Sequence, residues 1–300
     1  MVPDGGRGRR DHDYRGPVLA RAPGSSANLG PGFDALAVAL DVHVEVEITS
    51  ADTLTVTSTG HGSDLPADAT HLAARLAVEI RGTDRLAIRV HSDIPVGRGL
   101  GSSAALAVAT AAAAGADDPM HWGVLVDGHP ENAAASALGG LVAAATVAGR
   151  PVARRLPLDP VLRFVLLVPD TALVTAEARR VLPATVPHAD AAFNLGRLGL
   201  LVAGLADHAQ LVAAATDDRI HQDARAALFP AAPALLAGLL AAGALAACWS
   251  GAGPSLLALA TTASAPALAA VATGLLADHG VPGRVHVLAA DGGGVTVTRR

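Results

Sequence analysis

The stretch IPVGRGLGSSAALAVATAAAAG, residues 94–115, constrains this chain most, because three glycines and two serines separate a strand-like run from an alanine-rich helix. Backbone stripped of its Cβ can approach a ligand closely. The first turn of a helix carries unpaired N–H groups and a partial positive charge. Such a place binds phosphate well, and it also makes an ordinary turn. Two familiar phosphate loops are excluded. A Walker loop needs Gly-Lys-Ser/Thr, and the chain has no lysine at all. A dinucleotide fingerprint needs Gly-x-Gly-x-x-Gly, whereas Gly97, Gly99 and Gly101 follow another rhythm.

The absence of lysine also excludes Schiff-base chemistry. A net charge of −5 on 300 residues, without a basic cluster, argues against a nucleic-acid partner. Cys248 is the only cysteine, so neither an internal disulfide nor a multi-cysteine metal site can form, which fits a cytoplasmic protein. The first sixteen residues contain arginines but no apolar run behind them, and they read as a disordered leader rather than a secretory signal. Residues 226–277 carry no charge, yet Pro233, Gly238 and Gly243 interrupt them. They read as a buried helix followed by a buried strand, not a membrane span.

Along the chain, residues 42–48 alternate apolar and polar as a half-buried strand does, with 53–59 as the expected partner strand. Helical spacing covers 69–80, and 85–90 alternates again into the glycine loop. Helices are expected over 102–114 and from about Pro130. FVLLVPD, residues 164–170, reads as a buried strand opening a second half. Helical stretches follow at 175–181, 191–205 and 210–227. A helix–strand–turn–helix passage is expected around CWSGAGPSLLALA (248–260), then two short terminal strands. This mixture indicates an α+β fold. The Pro- and Arg-rich segment 148–160 sets the expected boundary, giving a leader 1–16 and domains 17–152 and 153–300.

The wording of PVGRGLGSSAA, residues 95–105, resembles the Pro-x-x-x-Gly-Leu-Gly-Ser-Ser-Ala signature of the GHMP kinases, small-molecule kinases that wrap ATP phosphates without a Walker lysine. Within that family the chain is most similar to homoserine kinases. APGSSANLGPGFDALAVAL (22–40), GHPENAAASALGGLV (128–142), TAEARRVLP (175–183), FNLGR (193–197), DDRIHQDAR (217–225) and SGAGPSLLAL (250–259) match family segments in order. The resemblance implies a two-domain fold, with a ribosomal-protein-S5-like N-terminal half and a ferredoxin-like C-terminal half. It implies ATP-dependent phosphorylation of L-homoserine, the step that feeds threonine synthesis, and a homodimer.

By the same resemblance Pro95, Val96, Gly97, Arg98, Gly99, Leu100, Gly101, Ser102, Ser103 and Ala104, with His71, hold the nucleotide, and Ser103 and Asp127 hold Mg²⁺. Arg179 and Arg225 sit where the family binds the substrate carboxylate, a task suited to a planar guanidinium fork. Asn28 and Asp34 would take the ammonium group, His129 would add a hydrogen bond, and Gly253 would close on the substrate. Asn28, Glu131, Asn132 and Thr175 are the expected catalytic residues. Taken alone, the arginines would be solvated helix residues, Asn28 and Asp34 turn or helix caps, and His129 a cap or core histidine.

The chain departs from the family at several points. It writes DGHPEN where the family usually has Glu-Gly-His-Pro-Asp-Asn, so Asp127 and Glu131 exchange carboxylate lengths. A shift of about an ångström costs roughly a hundredfold in rate. GADDPM (115–120) replaces a second helix, His71 an asparagine and Ala37 a glycine. A weakened or non-catalytic homologue that binds homoserine or nucleotide, and a kinase for another small alcohol, are the alternatives.

Overall fold

The computed structural model describes residues 16–299; all of the expected leader but Gly16 lies outside the described residues. The first half starts with β1 (Val18–Ala27), β2 (Leu36–Ser50) and β3 (Thr55–Gly60), then α1 (Leu72–Arg81) and β4 (Leu86–Ser92). After the glycine loop come α2 (Ser102–Ala114), α3 (Pro119–Asp127), α4 (Pro130–Leu138), β5 (Leu141–Val147) and β6 (Arg150–Leu156). The second half holds β7 (Leu162–Pro169), α5 (Thr175–Arg180), α6 (His188–Ala206) and α7 (Gln222–Arg225). It ends with α8 (Ala232–Ala241), β8 (Ala246–Trp249), β9 (Leu256–Thr261), α9 (Ala265–Asp278), β10 (Gly283–Leu288) and β11 (Thr296–Arg299).

The α+β expectation holds. One sheet runs β11-β1-β2-β4-β3, with β5 and β6 attached to the start of β2. The other runs β10-β7-β9-β8, antiparallel throughout. The long β2 is the hub, pairing β1 on one side and, in turn, β5 at Leu36–Val38 and β4 at Val44–Ser50 on the other. Its alternating residues Val44, Val46 and Ile48 face inward onto α2. That helix is built from alanine, so it lies close against β1 and β2 while α1, α3 and α4 cover it. The continuous apolar run of β7 is explained by burial on both faces. Phe164, Leu166 and Val168 join the core shared with the first sheet, and Val165 and Leu167 join the core under α8 and α9.

Several local expectations need correction. β3 pairs β4 in parallel, not β2, because β4 lies between them. The segment after GADD does form a helix. Asp118 caps it through the His121 N–H at 3.1 Å, and Pro119 opens it as α3. Residues 210–227 are not one helix but two 3-10 turns and the single turn α7. LLALA (256–260) lies in β9, not in a helix. The division at 152/153 falls inside β6, and β11 returns from the C-terminus to pair β1 in the first sheet. The charge-free stretch forms α8, β8, β9 and most of α9. Among the described residues only α6 has the length and apolarity of a membrane span, with mean hydropathy 1.2.

Candidate active site

A cleft of about 410 Å³ lies where the two halves meet. The glycine loop forms one end. Gly97, Gly99 and Gly101 have φ of 68°, 72° and 64°, while Arg98 and Leu100 between them stay at negative φ. Alternating conformations of this kind turn successive N–H groups toward one concave side. Only glycine fits here. A Cβ on Gly99 would stand 2.2 Å from the Ser250 carbonyl oxygen, and one on Gly101 2.2 Å from Ser25 Oγ. Leu100 is buried as an anchor, and its carbonyl accepts the Ser25 N–H at 3.0 Å. Ser250 Oγ donates to Gly99 O at 2.7 Å, and Gly251 N–H donates to Ala27 O at 2.9 Å. Three segments far apart in sequence are thereby tied together. The start of α2 has no side-chain cap and no acid in its own first turn, so its positive end opens into the cleft beside Ser102 and Ser103.

The opposite end is made of side chains. The tight connection from β1 to β2 holds Asn28, Leu29 and Asp34 at positive φ, which non-glycine residues adopt only under constraint. Asn28 supplies part of that constraint: Oδ1 accepts the Asp34 N–H and Nδ2 donates to Gly251 O, each at 3.0 Å. Arg179, from α5, grips Asp34 with both terminal nitrogens, Nη1 to Oδ2 at 3.1 Å and Nη2 to Oδ1 at 2.5 Å. Arg225, from α7, is 1% exposed. Its Nη1 donates to Gly251 O and to His221 Nδ1, both at 3.0 Å. Burial, then the neighbouring Arg179 charge, pulls the Arg225 pKa down to about 10. Phe33 lies beneath both guanidinium groups, 5.4 and 5.6 Å from its ring centre.

His221 has its tautomer fixed by its neighbours. Nδ1 faces a guanidinium donor and accepts, so Nε2 carries the proton and donates to Gly30 O at 2.8 Å. Burial keeps the ring neutral, with its pKa pushed down to about 4. Asp218 caps this turn by accepting the N–H groups of His221 and Gln222 at 2.7 and 2.8 Å.

Carboxylates flank the middle of the cleft. Asp127 ends α3, beside Ser103, and Glu131 lies in the first turn of α4. Burial raises Asp127 to about 6 against the hydrogen bond from Ser103. Burial, reinforced by Asp34 and Asp127, raises Glu131 to about 7 against the hydrogen bond from its own N–H and the Arg179 charge. Glu131 Oε1 accepts from Asn132 Nδ2 at 3.3 Å, while its buried Oε2 has no partner. Asn132 Oδ1 accepts the Ser25 hydroxyl at 2.8 Å. His129 sits at the cap position of α4 without capping it, and its pKa falls through burial and the Arg179 charge. Its ring lines the cleft, where one ligating atom each from Asp34, His129 and Glu131 lies within 4.8 Å of the others.

Comparison with known proteins fits this geometry. The description "GHMP kinases N terminal domain" matches residues 68–140 and "GHMP kinases C terminal" matches 191–274. The chain is 42% identical over 274 residues to a homoserine kinase of Mycobacterium sp. (strain JLS), covering 83% of this chain and 87% of that one. The chain belongs to the homoserine kinase family. A second such relative, from Rhodococcus opacus (strain B4), is 40% identical over 81% of this chain and 87% of its own. The crystal structure of homoserine kinase from Cytophaga hutchinsonii superposes with a TM-score of 0.82 at 28% identity, covering 94% of this chain and 97% of that chain. Mevalonate diphosphate decarboxylase of Enterococcus faecalis shares the fold alone, with a TM-score of 0.65 at 16% identity over 95% of this chain and 99% of that one.

In this homoserine kinase family member, Asn28, Asp34, Asp127, His129, Glu131, Asn132, Thr175, Arg179 and Arg225 all line the cleft, as do Val96, Gly97, Gly99, Leu100, Gly101, Ser102 and Ser103. Pro95, Arg98, Ala104 and Gly253 do not. The Arg98 guanidinium donates to the carbonyls of Val96, Pro169 and Asp170 and so straps the loop to the end of β7. Ala104 is fully buried inside α2. Gly253 backs onto Trp249, where a Cβ would stand 2.4 Å from the ring, and Gly251 and Ala252 face the cleft in its place. His71 lines a neighbouring cavity of about 280 Å³, largely apolar, that shares Val96, Ser102 and Ser103 with the cleft. Its Nδ1 caps α1 by accepting the Ala73 N–H at 3.1 Å. Sequence reading missed Phe33 and His221. The available signal for His221 was its position one helical turn before Arg225.

Proposed function

We propose that this chain transfers the γ-phosphoryl group of ATP to the side-chain hydroxyl of L-homoserine, giving ADP, O-phospho-L-homoserine and a proton. The observation that carries the reading is one continuous cleft with a lysine-free N–H cradle at one end and Asp34, Arg179 and Arg225 at the other. The glycine loop and the start of α2 would hold the phosphates, and the apolar cavity beside His71 has the character needed for the base. Arg179 and Arg225 would take the substrate carboxylate, Asp34 with Asn28 its ammonium, and His129 a further hydrogen bond.

The donors near Ser103 suit Mg²⁺. A hydroxyl, the Asp127 carboxylate and the unpartnered Oε2 of Glu131 are hard oxygen ligands, and magnesium needs few of them from protein. Mg²⁺ bound there would neutralise phosphate charge. Thr175 and Asn28 would orient the phosphoryl group and hydroxyl for in-line transfer, and Asn132 would hold the loop through Ser25. The hydroxyl proton leaves as the new P–O bond forms, and no side chain is assigned as its base. A cytoplasmic setting and a homodimer belong to the same proposal.

A coupled ADP-release assay with L-homoserine, ATP and Mg²⁺ tests it. Homoserine-dependent turnover is the expected result. A folded protein that binds ATP but shows no turnover above background would overturn it.

A further inference from the structure

Helix α6 is seated in the fold by the buried residues Asn194, Leu201, Gly204 and Leu205, and its opposite face is open. That face is made of Ala192, Leu195, Gly196, Gly199, Leu200 and Ala203, all exposed, with Leu195 at 71% and Leu200 at 45%. Spacings of three and four residues put all six on one side of the helix, and none of them is polar.

The two glycines have no reason within the chain. Glycine is the poorest helix former after proline, yet both stand in the middle of a 19-residue helix. Gly204 is explained by its neighbours, since a Cβ there would stand 2.5 Å from Leu211. A Cβ on Gly196 or Gly199 would meet nothing within 4 Å. A second helix packed on from outside supplies the reason, because bare backbone lets another backbone approach closely.

The face also reads the same in both directions. Gly196 and Gly199, Leu195 and Leu200, and Ala192 and Ala203 lie at equal distances from the midpoint between Arg197 and Leu198. A two-fold axis through that midpoint sets Gly196 against the partner's Gly199, with Leu195 against the partner's Leu200 beside them. Such self-complementarity is what an isologous contact requires. At each end the same axis brings exposed His188 opposite the partner's Asp207, an imidazole donor against an exposed carboxylate. Asp207 stands at the negative end of its own helix, and the antiparallel partner brings a positive end beside it.

We propose that α6 is the interface of a two-fold homodimer, packed antiparallel on the α6 of a second copy. A helix that lies on a membrane uses bulky apolar residues and basic flanks, whereas this face is mostly alanine and glycine with an acid at its end. One helix pair is small beside the roughly 1,200–2,000 Å² of stable interfaces, so association in the micromolar range is expected. The inference rests on the homodimer within the proposed function and adds its face, direction and register.

Sedimentation velocity of the full chain across micromolar concentrations tests it, with melting followed at dilutions where wild type is monomeric. Gly199→Gln replaces a poor helix former with a good one and fills the groove. It should raise the melting temperature of the diluted protein while weakening dimerisation at least about thirtyfold. Register is read by the double variant Ala192→Cys/Ala203→Cys, whose two positions lie about 16 Å apart along one helix, too far for an internal disulfide. Oxidation should join two chains in the double variant and in neither single variant; the native Cys248 is buried. Unchanged dimerisation of Gly199→Gln overturns the α6 face and leaves the homodimer standing. Cross-linking of a single variant, or none in the double variant, overturns the antiparallel register. A wild-type chain that stays monomeric at every concentration overturns the homodimer itself, and sedimentation of that monomer with phosphatidylglycerol vesicles would assign the face to a membrane surface. Homoserine turnover reports on the chemistry separately.

Discussion

The two ends of the cleft handle charge by different means. At the loop end, seven consecutive residues from Gly97 to Ser103 offer backbone N–H groups and a helix terminus, and the loop's one arginine is turned away. At the other end the working groups are side-chain charges drawn from separate segments, with Asp34 and Arg179 145 positions apart. A polyphosphate spreads its charge over many oxygens, so fixed dipoles along a curved backbone can meet it. A small zwitterion concentrates opposite charges a few ångströms apart, and only placed point charges distinguish it from its neutral or singly charged relatives. The loop end is thus specified locally and the opposite end by tertiary structure.

The sharpest way to break this contrast is at Arg225. Arg225→Ala should cut kcat/KM for homoserine about 10³-fold while leaving the ATP requirement within about threefold, since only the amino acid offers this group a carboxylate. Equal losses on both substrates in a folded variant would mean that the ends are not separate. The mirror experiment is Gly99→Ala. The added Cβ would strike the Ser250 carbonyl from a backbone at φ 72°, displacing the cradle. Rate and ATP affinity together should fall about a hundredfold, with homoserine binding measured by calorimetry unchanged.

The same contrast explains what the sequence made legible. The loop could be read because glycine spacing, a following helix and the lack of lysine are all local facts. Arg179 and Arg225 stood out only through the segments around them, since nothing in an isolated helical arginine says that it will be buried. Phe33 and His221 escaped because their roles exist only after Gly30, Phe33 and α7 come together. A nearly uniform apolar composition without helical period hides α3, and the same uniformity makes β9 read as helix. Alternation correctly marked β3 as a strand but cannot name its partner. Arg98 was assigned to nucleotide by its place in the motif, whereas its long side chain reaches out of the cleft to the β7 end.

Protonation acts with opposite sign on two buried groups of the site. His221 has its pKa pushed down to about 4, so the unfolded chain binds more protons between roughly pH 6.5 and 4. Its contribution is complete above about 6.5 and is lost as pH falls, on the order of 3 kcal/mol in all. Glu131, raised to about 7, has the opposite sign, with its contribution complete below about pH 4.5 and lost as pH rises through 7. Glu131→Gln should therefore be more stable than wild type at pH 8 by about 3 kcal/mol, with most of the gain gone at pH 5. His221→Asn should be less stable at pH 8, with a deficit that shrinks by pH 4.5. Denaturant melts across this range read both slopes, and parallel profiles for the two variants would refute the assignment.

The smallest effect is expected at Arg98, whose side chain leaves the cleft although its neighbours in the loop line it. Arg98 lies in the segment expected to hold the nucleotide through its backbone, and its guanidinium spends its donors on the carbonyls of Val96, Pro169 and Asp170. These bonds join the cradle to the end of β7, so their loss should loosen the loop without removing charge from the phosphates. Hydrogen bonds of this kind contribute about 1–2 kcal/mol, so Arg98→Ala should lower stability by that amount and raise the KM for ATP about threefold. Arg98→Met, which keeps the apolar stem, should recover part of the stability. A hundredfold loss of ATP affinity in a protein with unchanged melting would instead place the guanidinium on the nucleotide. That result would give the loop end a point charge of its own and erase the distinction between the two ends.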